Sequence, residues 1–442
     1  MPDGSRGLLL ALVSASLLAW PAPLTAQPVA AHVEADSQLP LADRAAAALL
    51  PLLQGGNDFG AVFSANFLNA VPPEQVAALF AQMRNQHGMP SGVIRLDRAP
   101  SGDRFELVVG YARAHVHFQM FVDGEGRIAG LRVTNVTTAN DSYARLIDDI
   151  NRLPGTVAWG LYRLDPAGQP ALITGANSHL DMAVGSSFKL AILATLDDQI
   201  RRHRMRWDDV VRIDRRSVST SEIARWPLGS PVTLHTLATL MISQSDNSAT
   251  DILLHHVGRE RVEEFARRHG GLSGAQAFPM LSTIEATALK NPALGEVRTR
   301  WLTGDEAERR ALLDEAQARF TPANVDFSVF NDGPADIDSI EWFASPDSLA
   351  ALLGWFAERG TDEARAILAI NPGIPSDAAA RWAYLGYKGG SEPGVMAMNL
   401  LLRDADNRQF VIAMAWNNAE APVDEAAMVM LASRASALLL QP

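Results

Sequence analysis

The sequence predicts two successive mixed domains, a small α+β domain and then a larger α/β sandwich in which an antiparallel sheet is flanked by a helical subdomain. Three observations carry this. Helical periodicity followed by strand-like runs fills residues 58–140. A second group of strands opens near Val157 and resumes only after Ala383. Between these two sets the chain is helix-rich, so the second sheet is assembled from distant segments, and a site is expected where the helical middle meets it.

A chain of 442 residues exceeds one ordinary core, which agrees with two domains. Hydrophobic content of 48% with 20% charge describes a globular protein. The formal net charge of −12 excludes a nucleic-acid binder, because phosphate recognition needs a basic face. There is no Cys, hence no disulfide, thiol catalysis or lipid-anchored cysteine. Of the 38 cationic residues only three are lysines, Lys189, Lys290 and Lys388. Arginine stays protonated, whereas a lysine can lose its proton and act as a base.

Residues 1–26 read as an export signal: Arg6 precedes an apolar run from Gly7 to Trp20, with small residues up to Ala26. That run is short for a membrane span and no later stretch qualifies, so export to a bacterial periplasm or beyond, without an integral span after cleavage, is the expectation. Residues 27–57 read as a linker and a first helix, and 58–87 as two short helices broken at Pro72-Pro73. Strands are expected at Gly92–Leu96, Phe105–Val122 and Ile128–Val136, the middle one being two strands or one bent at Gly110. With the phrase FSANFLNAVPPEQVAALFAQM, this order resembles the cone-shaped NTF2-like domains over residues 58–140. His115 and His117 share one face of their strand; a ligand or catalytic role is one reading, but with no acidic partner nearby in the sequence they read rather as a polar face or domain contact.

The second domain, residues 141–442, opens with an amphipathic helix from Ser142, then a hairpin of VAWGLYRLD and ALITGA. Strands at 383–387, 395–402 and 410–416 and a helix over 423–440 close it.

Three motifs carry chemistry. Ser186-Ser187-Phe188-Lys189 stands where a helix begins, and serine and lysine three apart share a helical face. A helix N-terminus favours developing negative charge, and a neutral lysine can take the hydroxyl proton. Ser245-Asp246-Asn247 interrupts two apolar helical runs with a hydroxyl able to relay a proton and an amide able to hold a substrate carbonyl. Lys388-Gly389-Gly390-Ser391 follows the strand AYLGYK; the glycines allow close backbone approach and the lysine offers a positive charge.

Together these resemble the S-x-x-K, S-D-N and K-T-G set of class A β-lactamases and penicillin-binding proteins, over roughly residues 142–440. Ser186 and Ser245 are 59 residues apart, against about sixty in that family. The resemblance implies Ser186 as acylated nucleophile, Lys189 as general base and Ser245 as proton relay, helped by Lys388. It also implies Asn247 at the substrate's acylamide, Ser391 at its carboxylate, Gly390 lining the groove, and an oxyanion hole from the N–H groups of Ser186 and Ser391. A small β-lactam or related acyl substrate is implied, with no metal and no cofactor; the histidines, His255-His256 included, lack ligand spacing.

Two departures bear on function. K-G-G replaces K-T-G, removing a hydroxyl for which Ser391 compensates in part. The family's E-x-x-L-N phrase, whose glutamate activates the deacylating water, is missing. Glu285 is the nearest substitute, with Glu341 a poorer one. Residues 293–338 read as an insertion carrying a charged helix. An NTF2-like domain joined to a β-lactamase-like one is similar to the arrangement in the clavulanic-acid-pathway β-lactamase-like proteins, which implies that fold and acylating serine can outlast β-lactam hydrolysis. β-Lactam hydrolysis, a penicillin-binding-type carboxypeptidase or esterase, and a binder acylated only once all remain open.

Overall fold

The computed structural model describes residues 34–98, 104–219 and 221–441, so the expected signal segment lies outside the described residues. Two compact units divide between Ala139 and Asn140. Their cores share no residue.

In the first unit, α1 (Glu34–Leu53) buries Ala42, Ala45, Ala46, Leu49, Leu52 and Leu53, an apolar stripe at helical spacing. Two short helical turns follow, Phe59–Val62 and Ala65–Ala70, and then α2 (Pro73–His87), which starts on a proline at its first helical position. The sheet is an antiparallel meander of β1 (Pro90–Arg98), β2 (Phe105–Tyr111), β3 (Ala114–Val122) and β4 (Ile128–Thr138). The run from Phe105 is thus two strands, and it breaks at Ala112-Arg113 rather than at Gly110. Along β3 the core takes Ala114, Val116 and Phe118, leaving His115 and His117 half-exposed on the other face. Among the described residues no group of three or more His, Asp or Glu side chains could hold a metal ion.

The second unit is built on a five-stranded antiparallel sheet. Its strands are β5 (Thr156–Leu164), β6 (Pro170–Ala176), β7 (Tyr384–Glu392), β8 (Val395–Arg403) and β9 (Gln409–Asn417), in spatial order β7-β8-β9-β5-β6. Both faces are covered. On β8 and β9, Met396, Met398, Leu400, Leu402, Phe410, Ile412, Met414 and Trp416 face one layer, made by α3 (Tyr143–Asn151) and the terminal helix (Glu425–Leu439). Arg434 pins those two helices together, with a fork onto Asp141 and a 2.8 Å bond to Asp149. The opposite face carries Val395, Ala397, Leu401, Val411, Ala413 and Ala415, and packs on the helical middle.

That middle is centred on α4 (Lys189–Arg201), whose first eleven residues are all buried. A helix apolar on nearly every side belongs inside a core, which accounts for the run KLAILATL. Around it lie α5 (Leu234–Ser243), α6 (Asn247–Val257), α7 (Arg259–His269) and α8 (Thr283–Leu289). The charged helix expected in the insertion forms over Glu306–Glu315, capped by Asp305 and Glu308. No described helix is long and apolar enough to cross a membrane.

Candidate active site

Ser186 stands on a single 3₁₀ turn, Gly185–Phe188, immediately before α4, and is half-buried while Ser187, Phe188 and Lys189 are buried. The turn starts at Gly185 in the left-handed region, φ +48°, where a side chain would be strained. Phe188 stacks on Trp342 with centroids 4.1 Å apart, and the Trp342 carbonyl accepts from Val184 N–H at 2.9 Å. The backbone before Ser186 is therefore gripped from the side of the short strand Phe343–Ala344.

The other side is β7. The Lys388-Gly-Gly-Ser segment lies inside this strand, which runs on to Glu392, rather than at its end. A Cβ on Gly390 would fall 2.2 Å from Val184 O and 2.3 Å from Ser186 N; one on Gly185 would fall 3.1 Å from Ser391 N. Ser186 and Ser391, whose N–H groups were expected to form an oxyanion hole, are thus brought together by strand-to-turn packing that only glycine allows.

Ser245 joins the site from the turn between α5 and α6. It adopts φ +58°, unusual for a residue with a side chain, and Asp246 follows as N-cap of α6, accepting from Ala249 N–H at 2.8 Å. Asp246 also accepts from Ser221 Oγ and Ile223 N, each at 3.0 Å, which holds the turn against the preceding loop. Lys189 Nζ lies 2.8 Å from Ser245 O, 3.0 Å from Ser245 Oγ and 2.7 Å from Asn247 Oδ1. Lys388 Nζ reaches the same Ser245 Oγ at 3.1 Å and Gly389 O at 2.6 Å. One hydroxyl thus bridges two buried amines. None of the three bonds of Lys189 goes to Ser186, the partner that their spacing suggests.

Two ammonium groups cannot both remain charged cheaply in so closed a place. Burial first, and then the charge of Lys388, pull Lys189 well below the ordinary lysine range, while Asp251 and Asp246 oppose this. Burial brings Lys388 down to about 7.

Asn247 has spent its amide. Besides accepting from Lys189, it donates Nδ2 to Val218 O at 3.0 Å and to Ser219 Oγ at 2.8 Å. Both amide protons are engaged with the protein, so the acylamide contact expected of Asn247 requires the loop at 218–219 to give way.

Glu285 is taken up by other partners. Its carboxylate is buried, lies 2.7 Å from Arg259, and accepts from Ser282 N–H at 2.7 Å in a capping box that starts α8. Burial pushes its carboxyl up, but Arg259 and the bonds from Ser282 outweigh that and hold it below the usual range. Glu341, the poorer candidate, is also taken, lying 2.9 Å from Lys290.

One residue at the site escaped the sequence reading. Asn399 on β8 is fully buried on the face otherwise lined by Val395, Ala397 and Leu401, and donates to Ser187 Oγ at 2.8 Å and Lys388 O at 3.0 Å. A lone amide within VMAMNLLLR was the available signal.

Comparison with known families finds that residues 142–309 match the profile described as "Beta-lactamase enzyme family". The match spans Ser186, Lys189, Ser245 and Asn247 and ends before Lys388. Comparison with curated proteins finds no match. Among solved structures, the chain is similar to a β-lactamase from Sphaerobacter thermophilus at 17% identity, covering 68% of this chain and 100% of that one, with a TM-score of 0.44. A β-lactamase from Chitinophaga pinensis is similar at 17% identity, over 67% and 97% of the two chains, with a TM-score of 0.45. A point mutant of PBP-A, solved as an acyl-enzyme complex with penicillin G, is similar at 13% identity, over 67% and 94%, with a TM-score of 0.42.

Proposed function

We propose that this chain, identified over residues 142–309 with the β-lactamase enzyme family, is a serine hydrolase that works through an acyl-Ser186 intermediate on β-lactams or related amides and esters. The observation that carries this reading is the pair of buried amines joined through Ser245 Oγ, with the Lys388 strand packed on the turn of Ser186. In its neutral form Lys189 has two N–H donors and one lone pair. Ser245 O and Asn247 Oδ1 can only accept, so they take the two donors and the lone pair faces Ser245 Oγ–H.

Acylation needs the amine to turn from one of these partners to Ser186 Oγ, remove its proton and let the oxygen attack the substrate carbonyl. Such bonds often form only in the substrate complex. The Ser186 and Ser391 N–H groups receive the oxyanion, and collapse of the tetrahedral intermediate breaks the acyl bond. Ser245 Oγ–H then donates to the leaving nitrogen or oxygen and is resupplied by protonated Lys189, with Lys388 holding positive charge alongside.

Glu285, tied to Arg259, favours slow release of the acyl group, the behaviour of a penicillin-binding-type enzyme or esterase over that of a rapid β-lactamase. Intact-mass spectrometry with a penicillin separates the readings. A lasting adduct of one acyl group, lost in Ser186→Ala, is the expected result; rapid return to apo mass with turnover points to β-lactamase action. No adduct on the folded protein sinks the reading. An NTF2-like identity for the first unit and an exported location belong to the same proposal, on its helix-then-meander order and on the apolar run after Arg6.

A further inference from the structure

The third lysine has no part in the chemistry above, yet it is as deeply buried as the other two. Lys290 follows α8, and its Nζ lies 2.9 Å from Glu341 Oε1 and 2.5 Å from Glu392 Oε1. Glu392 also shares a hydrogen bond with Glu341. Burial and then the Glu341 charge push the Glu392 carboxyl well above the usual range, with Lys290 opposing. Burial works against the Lys290 charge, but the two carboxyl groups outweigh it and keep the ammonium protonated.

Such a cluster is a costly way to fill a core, since apolar side chains of similar volume would serve as well or better for stability. Its position gives it another use. Glu392 is the residue after Ser391 on β7, and Glu341 is the residue before Trp342. Those two neighbours grip the nucleophile's turn from opposite sides: Ser391 N lies against Gly185, while Trp342 accepts from Val184 N–H and stacks on Phe188. The insertion covers the cluster, with the Phe330 ring 5.7 Å from Lys290 Nζ and Pro334 packed on Gly394 in the β7–β8 turn. In a chain that uses arginine for almost every other cation, a compact ammonium is retained where one charge must sit between two carboxyl groups.

We propose that Lys290, Glu341 and Glu392 form a positioning clamp that ties the end of β7 to the 341–344 segment and so fixes the Ser391 N–H against Ser186. It rests on the acyl-serine reading, because a preformed oxyanion pocket matters only if Ser186 is acylated. The clamp acts on the transition state and not on the resting substrate, so its loss belongs in the acylation rate and not in binding.

The test follows Ser186 acylation by a penicillin under single turnover across substrate concentration, by intact mass, with melting temperatures measured alongside. Glu392→Ala is expected to lower the limiting acylation rate about tenfold or more, with the half-saturating concentration changed by less than about twofold. Glu392→Gln keeps an acceptor for Lys290 and a donor for Glu341, and is expected to recover the rate to within about threefold of wild type. The triple variant Lys290→Met, Glu341→Gln, Glu392→Leu removes every charge together; it is expected to keep the wild-type melting temperature and still acylate about tenfold more slowly. A wild-type rate in folded Glu392→Ala or in the triple variant overturns the clamp alone. A parallel rise in half-saturation, or a Glu392→Gln variant as slow as Glu392→Ala, also overturns it. Absence of any adduct on the wild-type protein overturns the acyl-serine reading and the clamp with it.

Discussion

Lys189 and Lys388 meet on one hydroxyl, and the proton inventory of that meeting governs how the site should respond to pH. On the proposed reading Lys189 acts as a base only when neutral, so activity is expected to appear as pH rises through its lowered pKa. On the same reading Lys388 contributes as a cation only when protonated, so its contribution is expected below about 7 and lost above it. A bell-shaped kcat/KM for acylation is therefore expected, its alkaline limb near 7, with both limbs belonging to the coupled pair. Lys388→Arg, which stays charged, should move the alkaline limb out of range; an unmoved limb would show that another group sets it. Lys189→Arg should slow acylation roughly a thousandfold, because a guanidinium cannot take the proton. Adduct formation by mass checks it. For Glu285→Ala the expected loss is in stability, about 3 kcal/mol from leaving Arg259 buried without its partner. The lifetime of the acyl adduct should stay within about twofold of wild type, and a much longer lifetime would restore Glu285 to deacylation.

At the scale of elements, the site is made by two pieces of backbone that avoid regular geometry, the 3₁₀ turn before α4 and the left-handed Ser245, and by a glycine pair inside the regular strand β7. Ser245 and the glycine pair could be suspected from sequence, since a polar triplet between apolar helices and two adjacent glycines in a strand break local rules without evident structural gain. Their depth in the fold could not. The run AYLGYK suggests a strand that ends at its lysine, because glycine is a poor strand former. In the structure β7 continues through Glu392, since its register with β8 pairs Gly389 with Met398 and Gly390 with Ala397. Gly390→Ala is accordingly expected to act through geometry. Its methyl group would collide with Val184 O and Ser186 N, spread the oxyanion donors and cut acylation about 100-fold or more. Wild-type acylation by Gly390→Ala would show that the strand can shift without cost.

Over the whole molecule, each unit carries its own apolar core, drawn from residues 42–128 in the first and 146–439 in the second. The candidate site from Ser186 to Ser391 lies wholly within the second unit. A chain of residues 140–442 is expected to fold and to form the Ser186 adduct at a rate within about threefold of the full chain. Circular dichroism and adduct mass check this, and an unfolded or inert second unit would show that the first is needed for more than its own fold.

Apolar periodicity, the three ordered motifs and the scarcity of lysine determined by themselves the two-domain order, the helix-rich middle between separated strands, and Ser186, Lys189, Ser245 and Lys388 as the residues to examine. These are legible because they depend on local spacing and on side-chain chemistry, which the chain carries with it. Only the tertiary structure decided the rest. It turned the amine of Lys189 toward Ser245 and Asn247, engaged both amide protons of Asn247, paired Glu285 with Arg259, and brought Asn399 against Ser187 and Lys388. It also joined Lys290 to carboxyl groups 51 and 102 residues away. The physical reason is the same throughout: a buried polar group takes whichever partner the packing brings within about 3 Å, and sequence separation says nothing of that.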